Sequence, residues 1–161
     1  MAKQKDIKTN AMRILERMKI SYTFDTYECD EFIDGIQTAN QLGLDHDLVY
    51  KTLVTLGASK QYYVFVLPIE AELDLKKAAR SVSEKSVSMI PVKDITNVTG
   101  YIRGGCTAIG MKKQYKTTIS QTAEMLEKIY VSAGKIGCQI CLAPNDLLKA
   151  SNGVFGDIIV S

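Results

Sequence analysis

Histidine is nearly absent from this chain of 161 residues, since His46 is the only one. A Ser-His-Asp or Cys-His hydrolase places a histidine beside its nucleophile as the general base, so such a site could only be built around His46. That residue lies in the polar run Asp45-His46-Asp47, which is typical of a surface turn. We therefore expect a surface histidine and no catalytic triad.

The sequence also lacks a long apolar run and a strong net charge. No run approaches the roughly 20 residues that cross a bilayer, and the N-terminus leads into an amphipathic segment rather than an apolar signal core. The net charge is only +2, so any nucleic-acid surface has to be local. We expect a cytoplasmic protein of one domain, residues 1–161, with its four cysteines as free thiols and no contact with a membrane.

One pair of cysteines, in Cys138-Gln139-Ile140-Cys141, has the spacing of a redox or metal pair. In a strand, however, residues three apart point to opposite faces. The chain has no second C-x-x-C that would complete a zinc site. Core packing is the favoured interpretation, and we expect neither a metal nor a cofactor.

Short helical and strand-like segments alternate along the chain. Thr9 begins a predicted helix that reaches residue 19, Asp74 caps one over residues 75–81, and Pro144 lies in the first turn of one that ends near residue 150. Asp34 is expected to cap a short helix over residues 36–42 that ends at Gly43, after a loop at residues 28–34. A short helical or irregular segment is expected over residues 91–98, and a brief helical turn around residues 123–126.

The remaining segments favour strands at residues 21–27, 50–56, 61–67, 87–90, 117–120, 129–132, 136–142 and 155–160. Residues 57–60 join the second and third strands as a hairpin. The long helical crossovers of a doubly wound sheet are missing. This order predicts a mixed α/β (α+β) single domain with a curved, barrel-like mixed sheet surrounded by short helices.

Residues 99–113 contain four of the eleven glycines and end in Lys112 and Lys113. Glycine lets another molecule approach the backbone, so such a loop can aim its N–H groups at a carbonyl or an anion. The G-x-G-x-x-G of a dinucleotide site is absent, and Met111 stands where a P-loop has lysine. The loop is therefore either a site of another kind or an ordinary turn between strands.

Lys51 begins an otherwise apolar predicted strand, between Tyr50 and Thr52. A lysine in this position can act as a fixed cation for a carbonyl, a carboxylate or a phosphate. The alternative is an exposed lysine on an edge strand, where its charge discourages pairing with another chain. The pattern alone does not favour one over the other.

Three motifs in order carry a family resemblance: Tyr50-Lys51-Thr52-Leu53, the glycine loop with its two lysines, and the run Tyr-Val-Ser-Ala-Gly-Lys-Ile-Gly at residues 130–137. From its first helix nearly to its C-terminus, the chain resembles the YbaK family of aminoacyl-tRNA deacylases, relatives of the editing domain of bacterial prolyl-tRNA synthetases. The resemblance implies hydrolysis of a mischarged aminoacyl-tRNA, foremost Cys-tRNA(Pro). It also implies that the thiol of a cysteinyl substrate attacks its own ester.

The resemblance assigns roles to individual residues. In the catalytic set, Lys51 orients the ester or the terminal ribose, while the backbone N–H groups of Gly104 and Gly105 bind the carbonyl oxygen. The substrate-binding residues it implies are Tyr27, Thr52, Thr107 and Ser132. The expected contacts to phosphates of the tRNA(Pro) acceptor end are Lys112, Lys113 and Lys116, with prolyl-tRNA synthetase as a candidate partner.

Two places depart from the family pattern. Thr107-Ala108 replaces Ser-Pro, which removes the constraint that proline puts on φ, and Ala133 replaces a second glycine, which adds a methyl group near the predicted pocket. Two other functions stay open. One is deacylation of another small aminoacyl ester such as alanine, which needs water activated by the enzyme. The other is non-catalytic binding of tRNA or a synthetase.

Overall fold

The computed structural model describes residues 8–27 and 35–161. Its helices are α1 (Asn10–Arg17), α2 (Gly35–Leu42), α3 (Leu75–Ser81), α4 (Ile95–Thr99) and α5 (Pro144–Ser151). Its strands are β1 (Thr23–Thr26), β2 (Tyr50–Gly57), β3 (Tyr62–Pro68), β4 (Val87–Met89), β5 (Lys116–Ser120), β6 (Ile129–Ser132), β7 (Cys138–Leu142) and β8 (Val154–Gly156). Short 3₁₀ turns occupy His46–Leu48, Val92–Asp94 and Gln121–Met125. The predicted loop at residues 28–34 and the predicted cap at Asp34 lie outside the described residues.

The ends of the helices follow local chemistry, as predicted. The Thr9 hydroxyl accepts a hydrogen bond from the N–H of Met12 at 3.2 Å, which caps α1. Asp74 caps α3 by accepting from two backbone N–H groups, and Pro144 opens α5. Gly43 ends α2 with φ of +67°, a conformation that favours glycine. None of the described helices is long and apolar enough to cross a membrane.

The strands form two sheets. The larger has the order β4-β2-β3-β5-β8, with β2 antiparallel to β3 and β4, and with β3, β5 and β8 parallel. The smaller is antiparallel, in the order β1-β7-β6. An isolated bridge between Val49 and Tyr130 connects them. The mixed α+β prediction is confirmed, but its barrel-like element is wrong, because β4 and β8 remain as edges and the sheet does not close.

The hairpin forms as predicted, whereas two later strands are shorter than their predictions. In the hairpin of β2 and β3, the N–H of Gly57 donates to the carbonyl of Gln61 at 2.8 Å. The predicted strand at 136–142 starts only at Cys138, because Gly134 and Gly137 turn the chain with positive φ. The last predicted strand is shorter as well, and after Gly156 only Ile159 makes a bridge, to Leu73.

The core lies on both faces of the larger sheet. Along β3, Val64 and Val66 face α1 and the smaller sheet, while Phe65 and Leu67 face α3. A strand that is apolar on both faces is buried on both, as these four residues are. Cys138 of β7 is buried in the core between the larger sheet, α1 and the smaller sheet, whereas Cys141 is half-buried. The alternation of side chains along a strand predicts this difference.

Candidate active site

A cleft of about 330 Å³ opens beside the first half of β2. It exists because β4 pairs only with the last residues of β2, from Thr55 to Gly57, which leaves the edge at residues 50–54 uncovered by β4. The smaller sheet and the glycine loop border the other side. The cleft brings together four of the predicted site residues, Lys51, Thr52, Gly104 and Ser132, which are up to 81 positions apart in the chain.

Lys51 reaches into this cleft from the start of β2. Its side chain is half-buried, and Nζ donates a hydrogen bond to the carbonyl of Ile69 at 3.2 Å. In the sheet Lys51 pairs with Leu67 of β3, and β2 lies between β3 and β4. Lys51 nevertheless lies in the part of β2 that β4 leaves uncovered, so its position in the sheet does not exclude the edge-strand alternative. Its half-buried side chain and its bond to Ile69 favour the fixed cation that an electrostatic role needs.

The glycine loop carries Gly104 to the cleft and is held by packing on both sides. The Tyr101 hydroxyl donates to the carbonyl of Ile109 at 2.6 Å, and the Asn10 amide donates to the carbonyl of Gly110 at 3.2 Å. Tyr101 and Ile109 are buried. These interactions give the loop a defined shape without the proline of the family pattern, so Ala108 does not leave it unconstrained.

The two adjacent glycines differ in what their N–H groups can do. Gly104 lines the cleft with φ of +87°, and its N–H has no acceptor among the described residues. Gly105 is buried behind it, and its N–H already donates to the carbonyl of Ile102 at 2.9 Å. The predicted pair of donors is thus reduced to one in this conformation, because the second N–H closes a turn.

Ser132 and Gln139 lie side by side on the cleft side of the smaller sheet. They are cross-strand partners on β6 and β7, so their side chains leave the same face of the sheet. Gln139 is 93% buried, and its Oε1 has no hydrogen-bond partner among the described residues. An unpaired buried acceptor is costly, and it is expected to meet a donor on a bound molecule. Sequence reasoning missed Gln139, since only the strand register pairs it with Ser132.

A family model described as "Aminoacyl-tRNA editing domain" matches residues 34–150. The chain belongs to the aminoacyl-tRNA editing domain family. It is also 44% identical over 160 residues to an inferred Cys-tRNA(Pro)/Cys-tRNA(Cys) deacylase, EbsC, of Enterococcus faecalis (strain ATCC 700802 / V583), with 98% of each chain covered.

Solved structures share the fold of this editing domain. One is described as an inferred trans-editing enzyme for prolyl tRNA synthetase, with a TM-score of 0.80 over 96% of this chain and 100% of the other. Another, of hypothetical protein APE2540, has a TM-score of 0.82 over 92% and 97%. Both are 17% identical to this chain, so the likeness concerns the fold alone.

Among residues 8–27 and 35–161, the cleft of the editing domain has one thiol, that of Cys106. Burial raises the pKa of this thiol to about 11, and a hydrogen bond with Thr99 only partly opposes the rise. At neutral pH the group is therefore a neutral thiol, which is a poor nucleophile compared with a thiolate. Cys106 belongs to the wall of the cleft.

Replacing Cys106 by alanine is expected to leave deacylation within about threefold of the unaltered rate, since a neutral thiol contributes no nucleophile. Steady-state kinetics on a cysteinyl-tRNA substrate measure this. A loss of two orders of magnitude or more would make Cys106 the nucleophile.

Several predicted site residues do not line the cleft. Thr107 is fully buried, and its hydroxyl accepts from the N–H of Ile109 at 3.5 Å, so it shapes the loop rather than touching a ligand there. Tyr27 continues the pairing of β1, with its N–H donating to the carbonyl of Gly137 at 2.9 Å. Ala133 is buried in the core, so its extra methyl group lies away from the cleft. The three predicted tRNA-binding lysines are exposed elsewhere on the surface, at Lys112, Lys113 and Lys116.

His46 lies near the surface, as predicted, although it has partners that the sequence did not reveal. Its Nε2 is 2.8 Å from the Asn40 amide oxygen, and its Nδ1 is 3.5 Å from a carboxylate oxygen of Glu70. It does not line the cleft. Among residues 8–27 and 35–161, no three His, Cys, Asp or Glu side chains gather in a way that could hold a metal ion.

Gly105 packs so tightly that an added side chain would displace its neighbours. An added Cβ would lie 3.0 Å from the backbone N of Ile136 and 3.1 Å from the Cα of Lys135, both rigid neighbours. We expect Gly105→Ala to lower the free energy of unfolding by about 1–3 kcal/mol and to push the loop away from the smaller sheet. Thermal unfolding tests this, and an unchanged midpoint would mean that the loop is free to shift.

Proposed function

We propose that this editing domain, residues 1–161 acting as one unit, removes cysteine from mischarged Cys-tRNA(Pro) without a cofactor. It would act in trans, in the cytoplasm, on tRNA released from a synthetase. The EbsC relative, whose name gives Cys-tRNA(Pro) and Cys-tRNA(Cys) as substrates, supports the choice of the amino acid. The structure supports the chemistry through the composition of the cleft.

One observation carries the mechanism. Among the described residues that line the cleft there is no histidine and no carboxylate, and the one thiol is held neutral by burial. The hydroxyls of Thr52 and Ser132 therefore have no general base beside them in this lining to activate them or a water molecule. In the proposed mechanism the nucleophile arrives with the substrate, because a cysteinyl ester brings its own thiol.

The reaction can then be written with the substrate's own atoms. The cysteinyl sulfur, as a thiolate, attacks its ester carbonyl, and the bond from that carbon to the ribose oxygen breaks. The ribose oxygen leaves and takes a proton from water, which replaces the proton that the thiol gave up to the solvent. The product is a cyclic thioester that water opens to free cysteine. The protein contributes orientation and charge, which are the larger part of many enzymatic rate enhancements.

Several cleft residues have a role in this reaction. The N–H of Gly104 donates to the carbonyl oxygen as negative charge develops on it, and the Lys51 ammonium stabilises the departing ribose oxygen. Gln139 Oε1 and the Ser132 hydroxyl accept hydrogen bonds from the α-ammonium of the substrate. Apolar side chains of Leu53 and Ile90 form the opposite wall, where they exclude water.

Binding of the substrate α-ammonium by Gln139 can be tested separately from the chemical step. Gln139→Leu is expected to raise KM for Cys-tRNA(Pro) about tenfold or more, because a hydrogen bond to a charged group is removed. The unfolding midpoint should not fall, since Gln139 Oε1 has no partner within the described protein. Gln139→Glu is the control, because it keeps an acceptor at the same place. An unchanged KM in Gln139→Leu would contradict the assignment.

The proposal as a whole is tested by incubating the protein with Cys-tRNA(Pro) and Ala-tRNA(Pro) and following the loss of each ester. We expect cysteine to be released and alanine to stay attached, since alanine has no thiol. Release of alanine at a similar rate would require activated water and would support the alternative of a deacylase for other small amino acids. Binding of tRNA without loss of either ester would identify a non-catalytic binding module.

A further inference from the structure

A second depression, of about 480 Å³, lies apart from the cleft residues. The turn between β2 and β3, the end of the glycine loop and the start of β5 meet there, because Lys116 pairs with Tyr63 in the parallel ladder. This meeting gathers three lysines from distant parts of the chain, Lys60, Lys113 and Lys116. We name these residues and the depression between them the basic groove.

The basic groove concentrates positive charge in a chain whose net charge is only +2. All three of its lysines are exposed, and none forms an ion pair with a described residue. No carboxylate lines the groove among the described residues. The neighbouring Glu84 accepts hydrogen bonds from Ser59 and Tyr63, which lower the pKa of its carboxyl and keep it charged, but Glu84 does not line the groove.

Uncharged groups complete the groove. Tyr62 and Tyr115 form its floor with their rings edge to face, at a centroid distance of 5.8 Å and an angle of 75°. The Tyr115 hydroxyl donates to the carbonyl of Val98 at 2.6 Å, which fixes the ring. Basic side chains around a rigid aromatic floor suit a polyanion with sugars or bases, since lysines bind phosphates while aromatic faces pack against the rest.

A shared layer of side chains links the basic groove to the cleft. Tyr62 and Tyr115 pack in one cluster with Val54, Ile90 and Cys106, and these last three also line the cleft. The cleft and the basic groove therefore share one packed cluster of side chains. We take them as candidate contacts of a single extended molecule.

We infer that the basic groove binds the phosphate backbone of the tRNA acceptor stem while the aminoacyl end occupies the cleft. The inference rests on the proposed function. The set of tRNA-binding lysines therefore differs from the one expected from the sequence. It includes Lys60 and excludes Lys112. The Lys112 Nζ donates instead to the carbonyl of Asn97 at 3.1 Å, and Lys112 does not line the groove.

The test compares two substrates that share the reacting ester. One is full Cys-tRNA(Pro), and the other is a cysteinyl ester of the terminal CCA trinucleotide, which lacks the acceptor stem. In the double variant Lys60→Glu/Lys113→Glu we expect KM for the tRNA to rise roughly tenfold or more at low salt, with the trinucleotide unaffected. The slope of log KM against log salt should fall by about one for each phosphate that the variant no longer binds.

A matched control reverses two lysines elsewhere, Lys76→Glu/Lys128→Glu, which changes the net charge by the same amount and should leave both substrates unaffected. If thermal melting shows that Lys60→Glu/Lys113→Glu unfolds the protein, the milder variant Lys60→Ala/Lys113→Ala is used instead. We expect it to raise KM for the tRNA by a smaller factor. Equal KM values for the tRNA in groove variant and control would overturn the inference. So would a defect that appears only when prolyl-tRNA synthetase is added, which would make the groove a protein-docking surface.

Failure of the inference differs from failure of the proposed function. If the unaltered protein leaves the trinucleotide ester intact, the proposed function fails. The groove is then tested by fluorescence anisotropy with uncharged tRNA(Pro), in which the groove variant should bind about tenfold more weakly than the control. Equal binding by the two variants would overturn the groove assignment on its own.

Discussion

Lys51→Ala is expected to lower the rate of cysteine release from Cys-tRNA(Pro) by about 10²–10³-fold, the loss that follows removal of one donor from a site of developing negative charge. The effect should appear mainly in kcat, because the charge on the ribose oxygen develops only as the ester bond breaks. The position of Lys51 supports this expectation. It lies half-buried in the cleft, with Nζ fixed 3.2 Å from the carbonyl of Ile69.

Lys93→Ala is the matched control for this variant. Lys93 is exposed next to Val92, which lines the cleft, so its removal takes one positive charge from the same neighbourhood without touching the proposed reaction. Single-turnover kinetics with protein in excess separate chemistry from binding. A Lys51→Ala rate within threefold of the control would show that the ammonium has no part in the chemical step.

The second large effect concerns the substrate. Replacing the cysteinyl group by serine is expected to lower the rate at least about 100-fold, because a hydroxyl is not ionised at neutral pH and no base lines the described cleft to ionise it. With cysteine, the rate should rise with pH towards the thiol pKa of about 8.5 and then level off. Serine should show no such rise.

A weakly bound substrate would give the same slow rate, so binding has to be measured separately. Ser-tRNA(Pro) should compete with Cys-tRNA(Pro) with an inhibition constant near the KM of the cysteine substrate, because the two differ by one atom. Comparable turnover of both esters would place the nucleophile on water or on the protein. The reaction would then need a base outside the described lining.

Local chemistry made much of the fold predictable. Thr9, Asp74 and Pro144 begin helices for reasons that involve only their immediate neighbours, and the hairpin over residues 50–67 follows from two apolar runs with a short turn between them. Whether the sheet closes into a barrel was not predictable in this way. That depends on which strands become edges, which is decided by packing between distant segments.

The candidate site was predictable only where a motif was contiguous. Lys51, Gly104 and Ser132 each lie in a recognisable run, and the fold brings them to one cleft. Gln139 was missed because only the register of β6 and β7 places it beside Ser132. The sequence around Gln139 instead drew attention to the pair Cys138 and Cys141. The hydrogen bond that occupies the Gly105 N–H depends on the turn geometry of the loop, which no motif encodes.

The basic groove was also only partly predictable from the sequence. Lys113 and Lys116 were recognisable as a basic segment, yet Lys60 joins them only through the parallel pairing of β3 with β5. Charge that is spread along the sequence becomes a local surface only in the folded chain. A net charge of +2 therefore gave no warning of it.

The central claim, that the thiol of the substrate is the nucleophile, is tested most directly by identifying the first product. Cys-tRNA(Pro) is mixed with excess protein, quenched with acid at successive times and analysed by mass spectrometry. We predict that a cyclic thioester, lighter than cysteine by one water, forms as the ester disappears and precedes free cysteine. Free cysteine that appears in step with the disappearance of the ester, with no cyclic thioester at any time, would contradict the claim.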